Sequence, residues 1–142
     1  MTLSILDRVN YLKSKQKENV KRKALFILKT LNVPRNSELS VVFVDDEEMR
    51  KLNSDYRNIN RTTDVLSFPQ DGPDDSILGD VIISIDTAVR RSKLQNLRIE
   101  REIHRLMIHG ILHLLGYDHK KKNDAKVMRE KELEILSNID SL

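Results

Sequence analysis

The sequence predicts an α+β fold in one domain spanning residues 1–142, a small mixed β-sheet of about four strands packed with five or so helices. Three observations carry this. Short β-branched runs alternate with longer amphipathic ones, no repeat, low-complexity segment or linker interrupts them, and 142 residues suffice to bury about two thirds of the unfolded surface.

Residues 2–6 read as an edge strand or as the lead into a first helix. From Val20 the spacing Val20, Ala24, Ile27, Leu28, Leu31 makes an amphipathic helix, ended by Val33-Pro34 because a residue before proline is pushed out of the helical region. Residues 39–44 are apolar on both faces and rich in β-branched side chains, hence a central strand. Asp45-Asp46 caps a short helix to about Tyr56. Residues 65–68 and 77–85 read as two further strands, separated by the turn-rich QDGPDD at 70–75. Asp86 caps a helix to about Gln95, residues 98–115 form a helix bearing histidines, and Asn123 caps a last helix ending near Asn138.

All four histidines fall between positions 104 and 119, and His109, His113 and His119 share the run HGILHLLGYDH. Neutral imidazole is the commonest side-chain metal ligand, so this clustering points to a metal centre. Two histidines four apart on a helix differ by roughly 40° and about 6 Å of rise, within reach of one ion. Gly116 can take the left-handed conformation that ends a helix, after which the chain can swing His119 back to the same place. The alternative leaves His109 and His113 on an ordinary helix face and His119 in a loop. His104 is different: five residues before His109, it lies about 140° round the helix and reads as a core or capping histidine.

HExxHxxGxxH zinc proteases share this spacing but place a glutamate general base where this chain has Gly110. Three histidines on a tetrahedral ion leave one position open for water, as in a catalytic zinc site. Metal chemistry without the protease's base is the expectation, with one ion per chain. Zinc suits three imidazoles, and nickel can replace it during purification.

Composition excludes other classes. Cysteine is absent, which removes disulfides and thiolate ligands together and fits a reducing cytosol. The start MTLSILDRV meets charge at Asp7 before a signal-peptide core could form, and no apolar run approaches a membrane span, so a soluble protein is expected. The four glycines, Gly72, Gly79, Gly110 and Gly116, form neither phosphate-cradling motif, so no nucleotide cofactor is expected. With the histidines committed, no serine or cysteine nucleophile can be paired with one. The net charge of +3 permits an anionic partner without demanding one. Lys13, Lys15, Lys17, Lys21, Arg22 and Lys23 crowd the first helix, a pattern usual for a solvated face, whereas Lys120, Lys121 and Lys122 border the proposed metal.

The run HGILHLLGYDH, with NSDYRNINRTTDVLSFP at 53–69 and LGDVIIS at 78–84, resembles the YbeY family of bacterial ribosomal RNA maturation factors. The three blocks come in the family's order, and the element order is similar over nearly the whole chain. The resemblance implies a cytoplasmic, single-strand-specific, metal-dependent endoribonuclease. It would act in 3′-end maturation of small-subunit ribosomal RNA and in ribosome quality control, with the ribosome and ribosome-associated proteins as partners. The family's zinc ligands carry over to His109, His113 and His119, and its functionally important arginine to Arg57 in the DYR step. Two departures are the lysines at 120–122, where relatives often carry acidic residues, and Arg61-Thr62, where the pattern reads lysine-proline.

The chemistry is consistent with that implication. Phosphodiester hydrolysis needs a nucleophile and stabilised charge on the phosphoryl oxygens, and a guanidinium such as that of Arg57 can clamp those oxygens with two parallel hydrogen bonds. The bland alternative pairs Arg57 with Asp55 or Asp64. A zinc peptidase is the rival activity, weakened by Gly110 and by the distance of Glu100 and Glu102 up the helix. A non-catalytic ribosome-binding factor with a structural metal is a third reading. In the last helix, Met128, Glu132, Ile135 and Leu136 follow one buried stripe, so Glu132 needs a partner, either a ligand histidine's second nitrogen or an arginine; the alternative places it at the stripe's solvated edge.

Overall fold

The computed structural model describes residues 1–70 and 76–139. In chain order its elements are β1 (Thr2–Asp7), α1 (Ser14–Thr30), β2 (Glu38–Val44), α2 (Asp46–Arg57), β3 (Val65–Pro69), β4 (Ile77–Ser84), α3 (Ile85–Leu94), α4 (Ile99–Leu114) and α5 (Lys122–Ile139). The strands form one mixed sheet in the order β1-β2-β4-β3. β1, β2 and β4 run parallel, and β3 returns antiparallel on β4 with Val65 opposite Ile83. The α+β class with four strands and five helices is as the sequence predicts. Residues 71–75 of the turn-rich QDGPDD segment lie outside the described residues.

Strand alternation divides the interior. Leu39, Val41, Phe43, Val81 and Ile83 face the larger core with α1, α3, α4 and α5, while Val42, Val44, Ile82 and Leu66 face a smaller one capped by Met49 of α2. β2 is apolar on both faces because both cores meet it, which is why its sequence lacks alternation. β1 is an edge strand and does not merge into α1. The Asp7 carboxylate accepts the Leu12 and Val9 N–H groups at 2.7 and 3.2 Å, and Asn10 turns the chain at φ +57°.

Several boundaries differ from expectation for local reasons. α1 begins at Ser14, a turn and a half before Val20, where Gln16 Oε1 accepts the Lys13 N–H at 2.9 Å. Ile85 belongs to α3 rather than to the preceding strand, and the α3 cap is Ser84, whose hydroxyl accepts from the Thr87 N–H at 3.3 Å. Asp86 instead accepts the Asp46 N–H at 2.9 Å, so it serves the start of α2. Asn123 lies inside the first turn of α5, which opens at Lys122, and is not its cap. Asp45 does cap α2, accepting from the Glu48 N–H at 2.8 Å.

Asparagine ends α1, α2 and α3, none of which contains glycine. Among the described residues every non-glycine with positive φ is an asparagine: Asn10, Asn32, Asn58 and Asn96. After α1 and α3 the chain closes on this residue, with Val33 N–H bonded to Leu28 C=O at 3.1 Å and Leu97 N–H to Ser92 C=O at 2.8 Å. No helix among the described residues is long and apolar enough to cross a membrane.

α4 packs tightly on the sheet at Gly110. A Cβ there would lie 2.5 Å from Val81 Cγ1 and 3.3 Å from Ser67 Oγ, and the Ser67 hydroxyl donates to the Gly110 carbonyl at 2.8 Å. Ala improves helix propensity over Gly by about 1 kcal/mol, but overpacking against a buried, χ1-stiff valine costs about 1–3 kcal/mol. Gly110→Ala is therefore expected to destabilise the fold in denaturant melts, and Gly110→Ala with Val81→Ala to recover part of the loss. A melt midpoint raised by Gly110→Ala contradicts this packing.

Asp46 joins three elements. Its Oδ1 accepts from Ser84 Oγ and Thr87 Oγ1, both at 2.7 Å, and from Thr62 Oγ1 at 3.2 Å, while Oδ2 meets Arg90 Nη1 at 2.7 Å. Burial alone would raise its pKa, but the hydrogen bonds from Arg90, Ser84 and Thr87, with the charge of Arg90, outweigh it and hold the pKa at about 2. A depressed folded pKa gives stability that is full above the unfolded value and lost as pH falls through the folded one. Asp46→Asn should thus lower stability by about 1–2 kcal/mol at neutral pH, after discounting for partial exposure. In urea melts the gap to wild type should close between about pH 4 and pH 2; a gap constant over that window removes Asp46 ionisation as its source.

Candidate metal centre and its cleft

The end of α4 is built to turn a third histidine back. Gly116 adopts φ +96°, its N–H bonds to His113 C=O at 3.1 Å, and Tyr117 N–H bonds to Leu112 C=O at 3.0 Å. This is a glycine-closed helix end, and the three residues after Gly116 bring His119 over the last turn. One ring nitrogen from each of His109, His113 and His119 lies within 4.8 Å of the others, and the three ring centroids are 4.6 to 6.0 Å apart. His109 and His113 are half-buried and His119 is exposed. His104 stays apart, buried on the opposite side of α4 against Asn19 and Val20 of α1.

Glu132 reaches this cluster from α5. Its Oε1 lies 2.5 Å from His109 Nδ1, which places the carboxylate on a histidine's second nitrogen and not at a solvated edge. With Nδ1–H donating to Glu132, His109 Nε2 keeps a lone pair, and it lies 3.1 Å from His113 Nε2. Ligands about 2.0–2.1 Å from a tetrahedral ion stand about 3.3–3.4 Å apart, close to that spacing. Burial pushes the His113 pKa down, as do the neighbouring His109 and His119 rings, which favours the neutral form that ligates. The donor set fits a metal ion, and the three histidines could hold one.

The cluster lies in a cleft of about 640 Å³ between α4 with its following loop and the outer edge of β3. Arg57, the last residue of α2, lines the cleft with Asp64, Ser67, His109, His113 and Lys120. Its side chain is exposed and makes no hydrogen bond or ion pair among the described residues. The Asp64 carboxylate is instead held by Arg91 at 2.8 Å and Arg105 at 3.7 Å. Glu102 is fully buried and bonded to Arg105 Nε at 2.5 Å, away from the cleft. At Gly110 the helix faces Val81 and Ser67, so a protease-type glutamate has no room there.

Of the two basic clusters, the one after His119 reaches the cleft through Lys120, whereas Lys13, Lys15, Lys17, Lys21, Arg22 and Lys23 lie on α1 or at its start and do not line it. Ser67 and Asp118 also line the cleft and were not singled out from sequence. Alternation in β3 places Ser67 on the α4 side, but only the strand order makes that side a cleft wall.

The chain is similar to known proteins along most of its length. The family model described as endoribonuclease YbeY matches residues 5–140. An endoribonuclease YbeY from Clostridium botulinum (strain Eklund 17B / Type B) is 43% identical over 138 residues, covering 81% of this chain and 82% of its own. One from Aquifex aeolicus is 44% identical over 127 residues, covering 87% and 84%. The solution structure of TM1509 from Thermotoga maritima superposes with a TM-score of 0.70 at 31% identity, over 97% of this chain and 89% of that one. A match along nearly the whole chain, with the three histidines gathered at one cleft, places it in a family: the chain belongs to the YbeY endoribonucleases.

Proposed function

We propose that this protein hydrolyses single-stranded RNA in the three-histidine cleft, with zinc held by His109, His113 and His119 and the scissile phosphate met by Arg57. In the cytoplasm its substrate is the 3′-end region of small-subunit ribosomal RNA, reached in the company of the ribosome and ribosome-associated proteins. The observation that carries the reading is the convergence of three imidazole nitrogens within 4.8 Å beside an arginine that no acidic side chain among the described residues engages.

When bound, the ion supplies a Lewis acid that acidifies water and polarises a phosphoryl oxygen. The protein does the rest. Glu132 keeps a proton on His109 Nδ1 and so fixes which nitrogen faces the ion. Arg57 offers a planar fork to two phosphoryl oxygens, matching charge that grows in the transition state. The peptidase alternative lacks a base at Gly110, and the relatives' names do not favour it. A solely structural metal is disfavoured by the cleft, since a closed structural site needs no open approach.

Two outcomes test this. Glu132→Gln should weaken zinc binding about 10- to 100-fold in chelator competition while the fold persists; unchanged affinity and melting temperature would leave Glu132 with no part in holding the site. Arg57→Lys keeps the charge but loses the fork, so it should stay folded and metal-bound while cleavage of a labelled single-stranded RNA falls about 10- to 100-fold, roughly 1.4 to 2.7 kcal/mol of barrier. Equal cleavage by wild type, Arg57→Lys and His113→Ala reveals a contaminating nuclease and defeats the reading. Cleavage lost in His113→Ala but intact in Arg57→Lys removes Arg57 alone.

A further inference from the structure

We propose that Tyr56 is a stacking platform for a nucleobase of the RNA strand, adjacent to the nucleotide whose phosphate Arg57 meets; the proposal rests on the ribonuclease reading above. Tyr56 lies seven residues after Met49 and three after Asn53, on the stripe by which α2 packs against the sheet. Met49 and Asn53 are buried, yet Tyr56 is 69% exposed. The stripe continues past the sheet. β3 is an edge strand, and beneath Tyr56 the structure offers the Phe68 ring, 5.0 Å away between centroids and inclined at 61°. That edge-on contact fixes the tyrosine ring without covering it. An aromatic ring is thus held on the α2 face of β3, the strand whose α4 side and outer edge wall the cleft, and it is next in sequence to Arg57, which lines that cleft.

The edge of β3 selects the kind of chain that crosses it. Asp64 C=O accepts from Ser84 N–H and Gln70 N–H donates to Leu78 C=O, so residues 64, 66, 68 and 70 bond inward to β4. Val65, Ser67 and Pro69 therefore turn their backbone groups outward. The Val65 N–H is already bonded to Asp64 Oδ1 at 2.8 Å and Pro69 has none, which leaves Ser67 with an outward donor still open. A polypeptide adding a strand needs a row of donors, and this edge does not provide one. A single-stranded nucleic acid needs cations for its backbone and π-faces for its bases, and Arg57 with Tyr56 provides that pairing.

The test measures binding of short single-stranded RNAs, each with one abasic position moved along the sequence, to zinc-loaded protein. Tyr56→Ala should weaken binding of the intact RNA about 5- to 150-fold and raise KM more than it lowers kcat, whereas Tyr56→Phe should match wild type. One abasic position should weaken wild type by a comparable factor and leave Tyr56→Ala unaffected, because platform and base are then removed together. Tyr56 is 69% exposed, so Tyr56→Phe should melt as wild type does and Tyr56→Ala should stay folded, losing only the edge-on contact with Phe68. Binding by Tyr56→Ala within twofold of wild type, or an abasic penalty undiminished in that variant, overturns the platform while leaving the ribonuclease reading intact. Weakened binding of an unfolded polypeptide such as casein with unchanged RNA binding makes this a protein-docking surface and also overturns it. Wild type that neither binds nor cleaves RNA overturns both.

Discussion

The close approach of α4 to the sheet at Gly110 sets where the helix carries His109 and His113 relative to the rest of the cleft. The helix can sink to that depth because position 110 carries no side chain, and the hydrogen bond from Ser67 Oγ to the Gly110 carbonyl holds it there. His109 and His113 flank this point by one residue and by three, so their height above the β3 edge follows from backbone packing rather than from contacts of their own. A helix standing farther off would carry both imidazoles away from the strand that bears Ser67 and from Arg57 beyond it. Dense interiors transmit such shifts without absorbing them.

Much of this was legible because the informative signals are local. A histidine pair at helical spacing and a glycine that can end the helix are written within eleven residues, and the structure gathers the three imidazoles they predict. Glu132 was approachable for the same reason, since a carboxylate in a buried stripe demands a partner. Helix starts were less legible where two candidates compete. Ser84 and Asp86 both suit a cap, and which one serves α3 depends on Asp46 lying beside Asp86 in space. The cleft wall was not legible at all, because β3 becomes an edge only through the strand order β1-β2-β4-β3.

The charges around the cleft separate by partner. Arg90 lies on Asp46, Arg91 on Asp64, and Arg105 on Glu102 and Asp64. Each of these guanidiniums fastens one element to another, and an anion arriving from solvent would have to displace a carboxylate to use it. Arg57 stands at the end of a helix closed by left-handed Asn58, with no such competitor among the described residues. Arginines of identical chemistry thus differ in availability through the reach of neighbouring acids.

The carboxylate that orients His109 sits on the last helix, 23 residues downstream of it and 13 after His119. Synthesis from the N-terminus therefore delivers all three imidazoles before Glu132 has been made. A nascent chain ending short of α5 carries the donor atoms with the His109 tautomer unset and with Met128 and Ile135 missing from the core. Docking of α5 completes the core and the donor geometry in one step, so the cleft matures only once the last helix has joined the domain.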